Sequence, residues 1–557
     1  MTEIAELLDE VEAWMDQDPD PETKGELREL LAGLLKTATS AAAYDGLADR
    51  FDGTLQFGTA GLRGELGAGP NRMNRVVVGR AAAGLAAYLI GKGHAEQLVV
   101  IGYDARKNSD VFARDTAEIV TGAGLRAAVL PRPLPTPVLA YMIRHLGACA
   151  GVMVTASHNP PRDNGYKVYL GDGSQITPPA DAEIAAEIAA VGPLGGLPRG
   201  EEWETLGDEV VDAYLERAAA VVSADAPRDL KVVSTALHGV GGEVLAAAFE
   251  RAGFPRPIAV PQQQQPDPAF PTVAFPNPEE PGAIDLALAL AAEQNADLVI
   301  ANDPDADRCA VAVPLPKDGG ASGGSGDKGS GSGSGWRMLR GDEVGALLGA
   351  SIAASGKKGV FATTIVSSSL LGKIAAAHGI EYQETLTGFK WLSKIPGLIF
   401  GYEEALGYCV DPDGVKDKDG ITAALAVAEF AANLKASGKT LLDRLAEIYA
   451  EYGTHVTDQL SLRVSDLAEI PRMMSALRQD PPKELGGVAV QRVDDLTQGT
   501  DTLPPTDGLR FVLDGARVIV RPSGTEPKLK CYLEAGSAEV LAAMKESLGE
   551  ILSTSAE

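Results

Sequence analysis

Cysteine is scarce. The chain has four in 557 residues, Cys149, Cys309, Cys409 and Cys531, too far apart for any Cys-x-x-Cys or zinc-ligand spacing. That excludes a disulfide framework and leaves four reduced, buried thiols as the expectation. Positive charge is also short: 49 Lys and Arg against 77 Asp and Glu give a net charge of -28. A chain this acidic repels nucleic acid and anionic membrane, so neither is expected as a partner. An anionic ligand would need cations gathered locally. No apolar run approaches the length of about 18 residues that a membrane span requires. The opening stretch MTEIAELLDEVEAWMDQDPD reads as an acidic amphipathic helix without the basic and apolar regions of a signal peptide, and the expected location is the cytoplasm.

What is present is an alternation. Short β-branched or apolar runs, QLVVIGYD, GVMVTASHN, LKVVSTALHG, ADLVIANDPDAD and GVFATTIVSSS, alternate with Ala-rich helical stretches. This predicts α/β units with mostly parallel sheets. Several of these runs end in polar, Gly- or Asp-rich loops, at the carboxyl ends of strands where open α/β sheets bind ligands. Asp318 to Gly335, DGGASGGSGDKGSGSGSG, is a Gly/Ser stretch read as a lengthened hairpin tip between CAVAVPLP and WRMLRGDEV. Pro266 to Pro281 is a Pro-rich irregular crossing. The last hundred or so residues alternate differently and suggest a smaller α+β domain.

Six loops carry chemistry. Val154 to Tyr169, VTASHNPPRDNGYKVY, sets Ser157 beside His158, with two prolines and an Asn-Gly turn that would stiffen the loop and return Lys167 toward the serine. Asn302 to Arg308, NDPDADR, spaces Asp303, Asp305 and Asp307 by two, which in an extended segment puts three carboxylates on one side. Such oxygen ligands suit a hard divalent cation, Mg²⁺ above all. The EF-hand reading fails, because Arg308 and Pro314 stand where Gly and Glu are needed. A phosphoaspartate enzyme and a solvated acidic turn stay open for this motif. Arg521 to Lys528, RPSGTEPK, follows a strand and offers an Arg, two hydroxyls, a Gly and backbone N–H groups as a phosphate cradle. GYEEALGY carries Glu403 and Glu404, fit for sugar hydroxyls or proton transfer; LTGFKW carries Lys390, and FGTAGLRG carries Arg63. Singly, these last three read as ordinary loops. Together the six supply a hydroxyl nucleophile, a metal site, isolated cations and a cradle, which is the inventory of phosphoryl transfer.

TASHNP, DPDADR, GYEEALG and RPSGTEP, with FGTAGLRG and Pro266 to Glu280, resemble the α-D-phosphohexomutase superfamily in order and approximate spacing, from about Thr54 to Leu533. GYEEALGY resembles the phosphoglucomutase-2-like and phosphopentomutase-like branch. The resemblance implies an α/β chain of four domains around a central cleft, three similar mixed α/β units and a smaller α+β C-terminal domain. The expected bounds are a helical extension over 1–50, then 51–228 with the serine loop, 229–340 with the metal loop, 341–455 with the sugar loop and 456–557 with the cradle.

It further implies an isomerase that moves phosphate between C1 and C6 of a hexose. Ser157 would carry phosphate. Mg²⁺ would sit on Asp303, Asp305, Asp307 and the Ser157 phosphate, with Arg308 close by. Glu403 and Glu404 would meet sugar hydroxyls beside Thr387 and Gly388. Arg521, Ser523, Gly524 and Thr525 would grip the non-reacting phosphate, and Arg63, Lys167 and Lys390 would line the reacting side. Lys167 and Lys418 are the acid/base candidates, a role that requires a lysine pKa pulled down; His158 ranks below Lys167. A sugar 1,6-bisphosphate would be the intermediate and activator. The partner is a small sugar phosphate, and the chain a monomer or homodimer. Ala405 stands where many glucose and mannose mutases have Ser. Glucose 1-phosphate to glucose 6-phosphate is the favoured reaction. Mannose phosphate, ribose 1- and 5-phosphates and glucose 1,6-bisphosphate synthesis are the alternatives, with a phosphoaspartate phosphotransferase or a non-catalytic sugar-phosphate sensor outside the class.

Overall fold

A computed structural model of the chain describes residues 2–36, 39–316, 335–464, 466, 468–500, 502–523 and 528–556. They divide into two compact units, Met1–Ala310 with Asp411–Ala426, and Val311–Val410 with Val427–Glu557. Nearly all of the Gly/Ser stretch lies outside the described residues.

The first unit opens with three helices, Thr2–Gln17, Pro21–Leu34 and Ser40–Phe51. Their apolar faces bury Val11, Trp14, Leu27 and Leu47 against Ala68, Val76 and Ala82, which is why this acidic stretch is ordered. Strands β1 (Leu62–Glu65), β2 (Leu98–Tyr103), β3 (Arg126–Val129), β4 (Ala150–Val154), β5 (Asp163–Leu170) and β6 (Glu204–Thr205) form one sheet in the order β1-β5-β4-β2-β3-β6. β2 is parallel to β3 and β4, as the helical crossovers require. β5 runs antiparallel to β4, with Met153 opposite Lys167, and β1 runs antiparallel to β5, with Arg63 opposite Gly165. The helices Arg75–Gly91 and Ser109–Gly122 contribute Val78, Leu85, Phe112 and Val120 to the core beneath Val99, Ile101 and Val152. Asn74 starts the first of these helices, its Oδ1 accepting from Val77 N at 3.0 Å.

The same unit contains β7 (Val232–Thr235), β8 (Ile258–Ala259) and β9 (Leu298–Ala301), with β7 parallel to both of its neighbours. The Asp-rich loop leaves the carboxyl end of β9.

In the second unit, β10 (Ala310–Pro314) and β11 (Trp336–Met338) pair antiparallel, with Ala312 opposite Met338, as the hairpin reading expected. β12 (Val360–Thr364), β13 (Glu381–Thr385), β14 (Leu398–Glu403) and β15 (Gly407–Cys409) follow in the order β13-β12-β14-β15, with the last pair antiparallel. A final antiparallel sheet contains β16 (Val456–Arg463), β17 (Glu484–Leu485), β18 (Val488–Asp495), β19 (Leu509–Leu513), β20 (Ala516–Pro522) and β21 (Lys528–Ala535). The helices Glu469–Gln479 and Ala538–Ala556 cover its apolar face, where Met473, Leu477, Met544 and Leu548 meet Phe511, Val518 and Val520. This is the smaller α+β domain expected at the C-terminal end.

Candidate active site

The serine loop is the tip of the β4–β5 hairpin. The expectation for Asn164-Gly165 needs correction: they make no turn but lie inside β5. Asn164 is fully buried, its Nδ2 donating to Lys107 O at 2.9 Å and Ser109 Oγ at 3.0 Å. Lys167 therefore returns toward the serine by strand pairing. Ser157 has φ 51°, the left-handed region that a non-glycine residue adopts at a cost. Its N–H donates to Thr155 Oγ1 at 2.8 Å, and Thr155 Oγ1 donates to Asp104 Oδ2 at 2.7 Å. Its Oγ donates to Asp303 Oδ2 at 2.7 Å and lies 3.2 Å from His158 Nδ1. Gly61 of FGTAGLRG, at φ 74°, lets β1 close on β5: a Cβ there would lie 1.9 Å from Tyr166 O.

Asp303, Asp305 and Asp307 are at most 1% exposed, and one carboxylate oxygen from each falls within 4.8 Å of the others. They converge because the loop turns, with Ala306 at φ 54°, rather than through the two-residue period of an extended segment. Asp303 Oδ1 accepts from Arg308 N at 3.1 Å. Asp305 Oδ2 accepts from Thr136 Oγ1 at 2.6 Å and Lys167 Nζ at 2.7 Å. Asp307 Oδ2 accepts from Lys167 Nζ at 2.9 Å, with Lys418 Nζ at 3.4 Å. Asp305 Oδ1 and Asp307 Oδ1 are buried without a hydrogen-bond partner among the described residues. A buried, unpaired carboxylate oxygen is costly, and two of them beside a third carboxylate are the donor set of a hard divalent cation. The residues fit Mg²⁺.

The charges explain the titration. Burial, Asp305 and Asp307 push Asp303 well above the usual carboxylate range. Burial also resists ionisation of Asp307, but Lys167, Lys418 and Arg308 hold it low. For Lys167 burial works downward, yet Asp305 and Asp307 leave it raised. The depressed lysine that acid/base work calls for is not what this arrangement produces. Burial, then Arg308 and Arg63, push His158 well below its ordinary value, so its ring stays neutral. Arg63 reaches the loop itself, its Nη1 3.4 Å from Asn159 Oδ1.

The second unit holds the remaining predicted residues. Glu403 Oε1 accepts from Gly388 N at 2.7 Å, which ties GYEE to the loop of Thr387 and Gly388. Lys390 lies in the short helix Phe389–Leu392. Glu404 Oε2 accepts from Ser367 Oγ at 3.0 Å, and Ser367 Oγ accepts from Glu404 N at 3.1 Å. Arg521 lies one residue before the end of β20, opposite Lys530, and Ser523 N donates to Lys528 O at 2.8 Å. Gly524 and Thr525 lie outside the described residues. Sequence reasoning missed Asp104, Thr136, Thr155 and Ser367. Asp104 directly follows a strand, as the Asp-rich loop does, and that was the one available signal.

Four matches to known families cover most of the chain. Residues 54–193, 212–317 and 340–452 match the phosphoglucomutase/phosphomannomutase alpha/beta/alpha domains I, II and III, and 461–550 match the C-terminal domain. The chain belongs to the phosphoglucomutase/phosphomannomutase family. A probable phosphomannomutase of Haemophilus influenzae is 52% identical over 86% of this chain and 98% of its own length. A phosphopentomutase of Mus musculus is 35% identical over 95% of this chain and 90% of its own. The crystal structure of a putative phosphomannomutase from Thermus thermophilus is 25% identical, with a TM-score of 0.72 over 90% of this chain and 99% of that one. As a member of the family the chain is a phosphosugar mutase, an isomerase of the phosphohexomutase superfamily. No helix among the described residues is long and apolar enough to cross a membrane.

Proposed function

We propose that this mutase interconverts glucose 1-phosphate and glucose 6-phosphate with Ser157 as the phosphate carrier, and that mannose phosphates are accepted as well. The observation that carries the reading is Ser157 Oγ, 2.7 Å from Asp303 Oδ2 at the edge of three buried carboxylates. A phosphoserine adds about −1.5 to −2 of charge, which three aspartates would repel without a cation. Mg²⁺ held by Asp303, Asp305 and Asp307, when bound, offsets that charge and draws electron density from phosphorus.

The chain's own residues do the rest. A sugar hydroxyl attacks the phosphorus; the new P–O bond forms as the bond to Ser157 Oγ breaks. Lys167, already an ammonium, gives a proton to Ser157 Oγ as that oxygen leaves and takes up the proton that the sugar hydroxyl releases, with Lys418 the alternative relay, so the proton count is unchanged across the step. Arg63 and Arg308 offset the charge of the moving phosphoryl group, and neutral His158 stays beside Ser157. The resulting bisphosphate turns end for end, and Ser157 Oγ attacks the other phosphate by the reverse of the same step. Glu403 and Glu404, with Thr387, Gly388 and Lys390, meet the sugar. Arg521, Ser523, Gly524 and Thr525 hold the phosphate that is not reacting.

The 52% identity to a probable phosphomannomutase supports a hexose. Ala405 supplies no side-chain hydroxyl to bond the sugar, and a site without such a bond discriminates weakly between hexoses. A second reading, ribose 1- and 5-phosphates, is favoured by the same alanine and by the 35% identical phosphopentomutase. A coupled assay with Mg²⁺, a trace of bisphosphate and four sugar 1-phosphates separates them. The expected result is a kcat/KM for glucose and mannose within about tenfold of each other and above both ribose and deoxyribose. Ribose ahead of both hexoses contradicts the proposal.

A further inference from the structure

The Pro266 to Glu280 stretch has no part in the mechanism above, yet it delivers one ring to Arg106, whose guanidinium reaches the serine loop. Phe270 is 2% exposed and held at φ 45°. Its N–H donates to Asp267 O at 3.1 Å, and Asp267 N donates to His238 O at 3.0 Å. Thr272 Oγ1 lies 2.8 Å from His238 Nε2 and accepts from Gln263 Nε2 at 2.9 Å; Thr235 Oγ1, at the end of β7, donates to Gln263 Oε1 at 2.6 Å. The crossing is thereby bolted to the sheet, and the ring it presents lies 4.9 Å from the Arg106 guanidinium carbon.

Arg106 is 3% exposed, and both of its Nη groups serve one target. Nη2 donates to Ser157 O at 2.5 Å and Asn159 O at 2.6 Å; Nη1 donates to Pro160 O at 2.8 Å and Asp163 O at 3.1 Å. Its Nε lies 3.4 Å from Asp104 Oδ2, and Asp104 also accepts from Arg106 N and Thr155 Oγ1. Four carbonyls of a hairpin tip thus converge on one rigid, planar fork, a pattern that a lysine cannot reproduce.

We propose that Arg106, seated against Phe270, is a positioning residue for Ser157: it holds the left-handed backbone that aims Oγ at the metal carboxylates. This rests on the reading of Ser157 as phosphate carrier. The clamp grips only main-chain carbonyls, so it acts alike before and after each transfer, and the nucleophile keeps its aim while the bisphosphate turns. A misplacement of about 1 Å costs on the order of 100-fold in rate. The contact with the ring face is worth less, about three- to tenfold.

The test uses the full chain with Mg²⁺ and glucose 1,6-bisphosphate. Mass spectrometry reads label on Ser157, steady-state kinetics separates kcat from KM, and thermal melting gives the folded fraction. Arg106→Lys should lower kcat about 100-fold with KM within threefold of wild type, while Ser157 still accepts label. Phe270→Leu, which keeps an apolar side chain, should lower kcat about three- to tenfold with the same KM pattern. If Arg106→Lys does not fold, Phe270→Leu alone decides. A folded variant with unchanged kcat, or a loss confined to KM, overturns the clamp. Absence of label on wild-type Ser157 overturns instead the carrier reading on which the clamp rests.

Discussion

Glu404 is a carboxyl seated among hydroxyls. Ser367 Oγ donates to its Oε2 at 3.0 Å and Thr364 Oγ1 at 3.5 Å, while burial and the adjacent Glu403 push it up to about 8. A carboxyl whose pKa is raised on folding contributes stability that is fully present below its unfolded value and fades as pH climbs through the folded value. For Glu404 the window runs from its ordinary 4.5 to about 8. Glu404→Gln mimics the protonated acid and removes that loss. Its thermal midpoint should therefore gain on wild type as pH rises from about 5 to 8.5, whereas a difference that stays flat across the range would contradict the assignment. Lys167 shows the opposite balance. Its ammonium is paired with Asp305 and Asp307, and those charges outweigh burial.

The β4–β5 hairpin brings serine, lysine and aspartates together, and its tolerance is small. A Cβ on Gly165 would lie 2.5 Å from Thr155 O and 3.0 Å from Leu62 O, both main-chain atoms that cannot swing aside. Gly165→Ala should cost about 1–3 kcal/mol, read as a lower urea-unfolding midpoint, and an unchanged midpoint would show that the strands can part there. The same hairpin marks what the sequence reveals. The triple aspartate was legible because three like residues in one short loop after a strand have few other uses. Asn-Gly pointed to a turn, because that dipeptide suits left-handed backbone. Here Asn164 is buried and bonded to Lys107 and Ser109, so tertiary contacts override the local preference. Arg106 was invisible for another reason: its partners are main-chain carbonyls, which every residue has.

At the scale of the whole molecule, the matched domains account for the order of the loops: serine in the first, aspartates in the second, GYEE in the third and RPSGTEPK in the last. The alternation of short apolar strands and helices made the α/β class readable, and the mixed sheet of β1 to β6 is what the strand pattern alone did not show, because alternation predicts helical crossovers between parallel strands whereas β4 and β5 are joined by a loop without one. The chemistry assigned to that tip rests on where phosphate resides during turnover. The direct measurement is phosphopeptide mapping after the Mg²⁺-loaded protein is mixed with glucose 1,6-bisphosphate, with and without hydroxylamine, which strips acyl phosphates but leaves phosphoserine. Phosphate on the peptide containing Ser157, stable to hydroxylamine and absent from Ser157→Ala together with turnover, is the predicted result; phosphate on Asp303, lost to hydroxylamine, would contradict it.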